Sequence, residues 1–223
     1  MIQRSGEGKK LNIILFRKAI FAALLLLCFS AHSSLAATGC DLNDPDRDVP
    51  RLFPESTGYL TKYVSIRQLG GDPLLKKIEK RLGERYLALY APIDVPYTLY
   101  EIYAGKKKIG YIHGVNQKGR FGGIQIFMAQ DLHGTVKSFY LQRISGQMAD
   151  KLRDSRFGRK FTGITIKDFD TYDPATAKGS GRIAEIHNPS PEIETDFYAV
   201  LRGLKKNLIL MDEFVFSQRG EKP

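Results

Sequence analysis

Four consecutive segments, separated only by short turns, carry the period-two pattern of half-buried β-strands. Tyr97–Ala104 (YTLYEIYA) is rich in tyrosine and β-prone residues, Gly105-Lys106-Lys107 makes a polar turn, and 108–115 (KIGYIHGV) returns beside it. A Gly- and Lys-rich connection, NQKGRFGG over 116–123, leads into 124–131 (IQIFMAQD). The tight turn Leu132-His133-Gly134 then leads into 135–144 (TVKSFYLQRI). Strands this close in sequence pair as antiparallel neighbours, because a parallel crossover needs a dozen or more residues. The spacing therefore predicts an antiparallel β-meander, and the rest of the chain has to be arranged around it.

Helical spacing brackets the meander. Asp72-Pro73 offers an N-cap and a first-turn proline. Leu74, Leu75, Ile78 and Leu82 follow on one face, with Lys76, Lys77, Glu79, Lys80 and Arg81 facing out. This predicts a helix from 73 to about 85, with 86–90 continuing it or opening a connecting strand. Beyond the fourth strand, Ser145 is placed to cap a helix whose buried stripe is Met148, Leu152 and Phe157. Residues 158–170 read as a loop and a short apolar segment, 171–181 as an exposed loop, and 182–187 as one more short strand. A final amphipathic helix begins near Asp196, with Phe197, Leu201, Leu204 and Leu208 facing inward and Lys205 and Lys206 on the outer face. A helix of this kind covers one face of a sheet, so the expected class is α+β, an antiparallel β-meander sheet covered by helices.

The N-terminal forty residues are of a different nature. Arg4, Lys9, Lys10, Arg17 and Lys18 precede an apolar run of eleven residues, 19–29, and then the small, polar stretch SAHSSLAATGC. That order belongs to a secretory signal, and the run is well short of the roughly 20 apolar residues that span a bilayer. Ser34-Leu35-Ala36 fits ordinary signal cleavage. Ala37-Thr38-Gly39-Cys40 is a loose lipobox that would make Cys40 a lipidated first residue and a point of membrane attachment. Ordinary cleavage is the better match, since Ala37 stands where a lipobox usually has leucine. The expected organisation is a signal at 1–40, an extended lead-in and helix over 41–96, the α+β domain over 97–216, and a tail at 217–223. Asp and Pro enrichment in 41–58 (DLNDPDRDVPRLFPESTG) is the reason for calling its first part extended.

An exported chain of this composition has restricted chemistry. Residues 1–40 carry five of the basic groups and one of the acidic ones, so the formal charge of +10 falls to +6 beyond them. A modest cationic excess suits anionic partners such as phosphate-bearing cofactors or lipid headgroups, and no nucleic-acid recognition motif accompanies it. Cys28 and Cys40 are the two cysteines, and Cys28 leaves with the signal, which excludes an internal disulfide and any cysteine-rich metal or haem site. His113, His133 and His187 form no HExxH or i, i+4 pair, Ser145-Gly146 has no GxSxG frame, and the acidic residues are scattered. Tyr97, Tyr100, Tyr103 and Tyr111 read first as sheet packing, with an aromatic wall for a flat ring as the alternative. One loop combines exposed glycines with cations: Lys118, Arg120, Gly122 and Gly123 are candidates to hold a phosphate on backbone N–H groups and positive side chains.

An ordered series of pieces from 97 to about 214 resembles the exported FMN-binding domain family, which includes periplasmic flavin subunits of sodium-pumping and Rnf-type electron-transfer complexes and the sensor domain of nitrous-oxide reduction regulators. YEIYAGKKKIGYIHG resembles the family's opening hairpin. FGGIQIFMAQDLHGTVKSFYL resembles its Gly-Gly, strand, Asp-x-x-Gly turn and next strand. Phe161-Thr162-Gly163 and a last helix near Asp196 follow in order. The resemblance implies an FMN-binding-domain-like fold, FMN as cofactor, and an envelope redox or membrane protein as partner. Two departures bear on the cofactor. Flavinylated members carry Ser/Thr-Gly-Ala-Thr before the last helix, where this chain has Asn188-Pro189-Ser190-Pro191-Glu192-Ile193-Glu194-Thr195. Members also often carry Glu-Thr-Pro-Gly after the fourth strand, where this chain has Arg143-Ile144-Ser145-Gly146. The expectation is noncovalent FMN serving electron transfer, without catalytic side chains. The alternative is a flavin-free interaction module on the same scaffold.

Overall fold

The computed structural model describes residues 40–86 and 93–219. Residues 1–39 of the expected signal and the continuation of the first predicted helix through 87–90 lie outside the described residues. The fold is α+β, built on an antiparallel meander. The meander has one strand more than the four that the sequence pattern predicts for it. β1 (Gly58–Val64) pairs along the free edge of β2 (Tyr97–Ala104), followed in order by β3 (Lys107–Gly119), β4 (Gly122–Gln130) and β5 (Val136–Arg143). β1 comes from the segment expected to precede the domain, so that segment is part of the same sheet.

The stretch expected to be an extended lead-in is also folded. α1 (Pro45–Leu52) starts where the Asp44 side chain accepts from the Arg47 N–H, with Pro45 at the first helical position and Asp46 and Asp48 in the first turn. Its Val49 and Leu52, with Cys40, Leu42 and Phe53, pack on Tyr100, Ile102, Ile112, Phe127 and Ala129 of the sheet. Further bonds hold 41–43 down. Leu42 N–H donates to the Tyr100 hydroxyl at 3.1 Å, Asn43 N–H donates to Gln142 Oε1 at 2.8 Å, and Gln142 Nε2 donates to Asp41 O at 2.8 Å. This packing leaves Cys40 only 2% exposed, and burial pushes its thiol pKa far up. A lipid on that sulfur would have to leave this core.

The other face carries the main core. α2 (Ile66–Leu69) opens with a Ser65/Gln68 capping box, and α3 (Gly71–Leu82) buries Leu74, Ile78 and Leu82. Asp72 lies inside the first turn of α3 rather than at its cap. The helix stops at Gly83, whose φ of 81° suits glycine, so it is shorter than the periodicity suggests. After β5 the backbone runs through Met148, not Ser145, into α4 (Ala149–Arg153) and then α5 (Ser155–Arg159). Leu152 and Phe157 are buried as expected, whereas Met148 is exposed. A 3-10 turn at Ile166–Phe169 follows, and another at Gly181–Ile183 replaces the strand expected over 182–187.

α6 (Glu194–Met211) lies against β3 and β4 and is buried on almost every side. The expected outer face is therefore not outside: Lys205 and Lys206 are 6% and 5% exposed. Their stems run through the core so that each ammonium donates to a backbone carbonyl, Lys205 to Tyr172 O at 2.6 Å and Lys206 to Asn116 O. A π-helical turn at Asp212–Phe216 ends the helix. There Glu213, almost wholly buried, receives Lys77 at 2.7 Å and Arg81, while Arg81 also reaches Asp212 at 2.6 Å, tying α3 to the end of α6.

Candidate functional site

The loop expected to cradle a phosphate is a tight hairpin. β3 runs to Gly119 and β4 starts at Gly122, with Lys118 opposite Gly123 and Gly119 opposite Gly122, so the turn itself is Arg120-Phe121. Lys118, Arg120, Gly122 and Gly123 are all exposed. The Arg120 N–H donates to Asp196 Oδ1 at 2.6 Å, and Asp196 is buried at the start of α6. The anion this backbone holds is thus the chain's own carboxylate. Nearby, the Ser190 N–H donates to Asn188 Oδ1 at 3.2 Å, and Thr195 is exposed in the first turn of α6.

A cavity of about 410 Å³ lies at the other end of β4, in the range that holds a cofactor-sized ligand. Gln130, Leu132, His133 and Gly134 come from the β4–β5 turn, Thr165, Ile166 and Lys167 from the segment before the 3-10 turn and its start, and Leu208, Asp212 and Phe216 from the end of α6. The turn is fixed by Asp131, whose Oδ1 accepts from the N–H groups of His133 and Thr135 at 2.8 and 2.9 Å. The 3-10 turn is fixed by Asp168, which accepts from the N–H and hydroxyl of Thr165. From Gly122 to Gln130 the strand rises roughly 26 Å at about 3.3 Å per residue, so hairpin and cavity are separate places.

Gln130 is the buried polar residue among those lining the cavity. It is 1% exposed, and its Nε2 donates to Gly134 O at 3.0 Å, which fixes the amide orientation. Its Oε1 is buried without a hydrogen-bond partner, an acceptor left unsatisfied in a residue that lines the cavity. The register carries a signal for this that the motif reading missed. Ile124, Ile126 and Met128 point into the main core at steps of two, and Gln130 is the next residue on that face.

A second buried polar group crosses between sheet and helix. His113 is fully buried, and its Nδ1–H donates to Asn207 Oδ1 at 2.9 Å, since Asn207 Nδ2 donates to His113 O at 2.9 Å. Burial pulls its pKa down to about 4, against the pull of Asn207, so the ring is neutral at physiological pH with a bare Nε2. Tyr97 and Phe214 pack against the ring, and the hydroxyls of Tyr97 and Tyr86 bond at 2.6 Å. Tyr97, Tyr100 and Tyr111 are buried in the two cores and Tyr103 is half-buried, as sheet packing requires. His133 is at the cavity and His187 is exposed elsewhere. Among the described residues no three His, Cys, Asp or Glu side chains are grouped to hold a metal ion.

The sequence matches no protein-family model and no curated protein.

Proposed function

We propose that the protein is an exported α+β domain that holds a flat heterocycle of the FMN type noncovalently in the cavity beyond β4 and serves electron transfer in the cell envelope. The observation that carries the reading is the buried, unpartnered Oε1 of Gln130. A heterocycle with a ring N–H between carbonyl groups, as in an isoalloxazine, supplies the missing donor and fills the apolar space between Leu132, Ile166, Leu208 and Phe216. Lys167 and His133, both exposed at this site, give a phosphate-bearing side chain a positive charge and a hydrogen-bond donor. The FMN-type group would supply the electron chemistry, and the side chains named here bind and orient it. Lys118 and Arg120 are too distant from Gln130 to share one small ligand with it, so they are not part of this assignment.

A near-ultraviolet and visible absorption spectrum of protein purified from its own cell envelope, before and after denaturation, tests the reading. Flavin bands that leave with the supernatant are expected, and Gln130→Leu should weaken FMN binding at least tenfold, about 1.4 kcal/mol. Bands that stay on the chain would refute noncovalent attachment. Colourless protein that takes up no added FMN would favour the flavin-free module, a reading supported by the closure of the hairpin on Asp196.

A further inference from the structure

The hairpin tip that does not cradle a phosphate has another feature that sets it apart. Phe121 is 57% exposed at the turn, and its ring lies against the backbone of Gly146, where an added Cβ would meet Phe121 Cδ2 at 2.6 Å. Two residues on, Met148 is 36% exposed, held outward by a φ of 65° that non-glycine residues seldom adopt. The tip therefore carries one exposed aromatic ring against a loop that exposes a second apolar side chain two residues further on.

Cations surround them. Lys118 and Arg120 are exposed on the hairpin and Arg143 is exposed at the end of β5, opposite Gln125. Among the described residues none of these three forms an ion pair, and Arg120 lies over the Phe121 ring at 5.2 Å. The segments 118–123 and 143–148 contain no acidic residue. In the neighbouring segments, Asp196 is buried and turned onto the Arg120 N–H, while Asp150, Glu192 and Glu194 are exposed.

We infer that this tip is a membrane-contact site for an anionic phospholipid surface. Apolar side chains flanked by unpaired cations match an interface in which rings and thioethers enter the headgroup layer while ammonium and guanidinium groups meet phosphate. The two segments are twelve residues, fewer than the roughly 20 to 30 that each side of a stable protein interface contributes. A lipid surface accepts so small a contact because its affinity needs to be only weak and reversible. The site is independent of the ligand proposed for the cavity.

The test uses processed protein as recovered from the cell, pelleted with vesicles of equal parts phosphatidylglycerol and phosphatidylcholine, or of phosphatidylcholine alone. Binding is expected on the anionic vesicles, weaker at high salt. Arg120→Ser should lower the partition coefficient about fivefold, the worth of one cation near such a surface, and Phe121→Ser at least as much. Tyr63→Ser, at a 67% exposed residue on the β1 edge, is the control and should bind as wild type. Equal binding to both vesicle types, unchanged binding by the two tip variants, or an equal loss in the control would each overturn the assignment. So would a soluble protein that binds the tip in place of vesicles.

Discussion

Lys206→Met should change how stability depends on pH, and the size of that change follows from where the ammonium sits. Lys206 donates to Asn116 O inside the core, with the Tyr86 ring 5.6 Å from its nitrogen. Burial is the main influence on it and pulls its pKa from 10.5 to about 8. The unfolded chain then binds one proton more than the folded chain between about pH 8 and 10.5, so this residue makes stability rise with pH across that window. Below pH 8 the cost is fully present, at about 3 kcal/mol. Between pH 7 and 9.5 about 2 kcal/mol of it is relieved. Cys40 opposes this in the wild type, because its buried thiol stays protonated while the unfolded thiol ionises near its ordinary pKa of 9.0. The comparison with Lys206→Met removes that complication, since Cys40 and the tyrosines are the same in both chains. Urea unfolding followed by far-ultraviolet circular dichroism at pH 7, 8 and 9.5 should show the variant's relative stability falling by about 2 kcal/mol over the range. The variant need not be the more stable chain at any one pH, because it also loses the bond to Asn116. A difference that stays flat, or grows with pH, would refute the argument that an unneutralised ammonium is buried here.

Two further perturbations test other parts of the fold. Gly110→Ala puts a Cβ 2.3 Å from Gln130 O and 2.6 Å from Phe53 Cζ, so it should cost about 1–3 kcal/mol in urea midpoint measurements. Gly123→Ala, with nothing within 4 Å, should be close to neutral, and equal stability of the two variants would show that β3 is not clamped between Phe53 and β4. His113, with its pKa at about 4 in the folded chain and 6.5 ordinarily, should cost about 3 kcal/mol of stability as pH falls from 6.5 to 4. Its imidazole resonances should keep their neutral shifts down to about pH 5, and a midpoint near the ordinary histidine value would contradict its burial.

The four strands were legible because they are rich in aromatic and β-branched residues and the turns between them are short. β1 was not: GYLTKYV lies at the sheet edge, where none of its residues is fully buried and the apolar Leu60 and Tyr63 are exposed, so its apolar residues do not mark an inner face. α1 was hidden by its own capping chemistry, since Asp44, Pro45, Asp46 and Pro50 mark a loop in a long sequence and a helix start in a short one. The position of α6 followed from its leucines, but its lysines were misread. Helical periodicity assigns Lys205 and Lys206 to a polar face and carries no information about the carbonyls of Tyr172 and Asn116, which come from a distant loop and from β3. The cavity was illegible for the same reason. Its walls are drawn from three separate stretches, around 130–134, 165–167 and 208–216, and only Gln130 breaks a local pattern.

The arrangement of covers limits where this chain can meet anything else. One face of the sheet is closed by α3 and α6, the other by α1 and the segment from Cys40 to Phe53, both through continuous apolar cores. The last helix, whose exposed side could have served as a docking surface, has almost no exposed side. Among the described residues neither face of the sheet is left open, and the two ends of β4 differ in chemistry. At Gly122 the surface is convex, cationic and tipped by Phe121; at Gln130 it is concave, apolar and short of one hydrogen-bond donor. Because one rigid strand joins them, a membrane held at the tip would keep the cavity roughly 26 Å along the strand from that contact. A ligand there would stay accessible to a soluble or membrane-bound redox partner. If the cavity instead bound its ligand only in the presence of anionic vesicles, the two ends could not be the independent sites that their separation along β4 makes them.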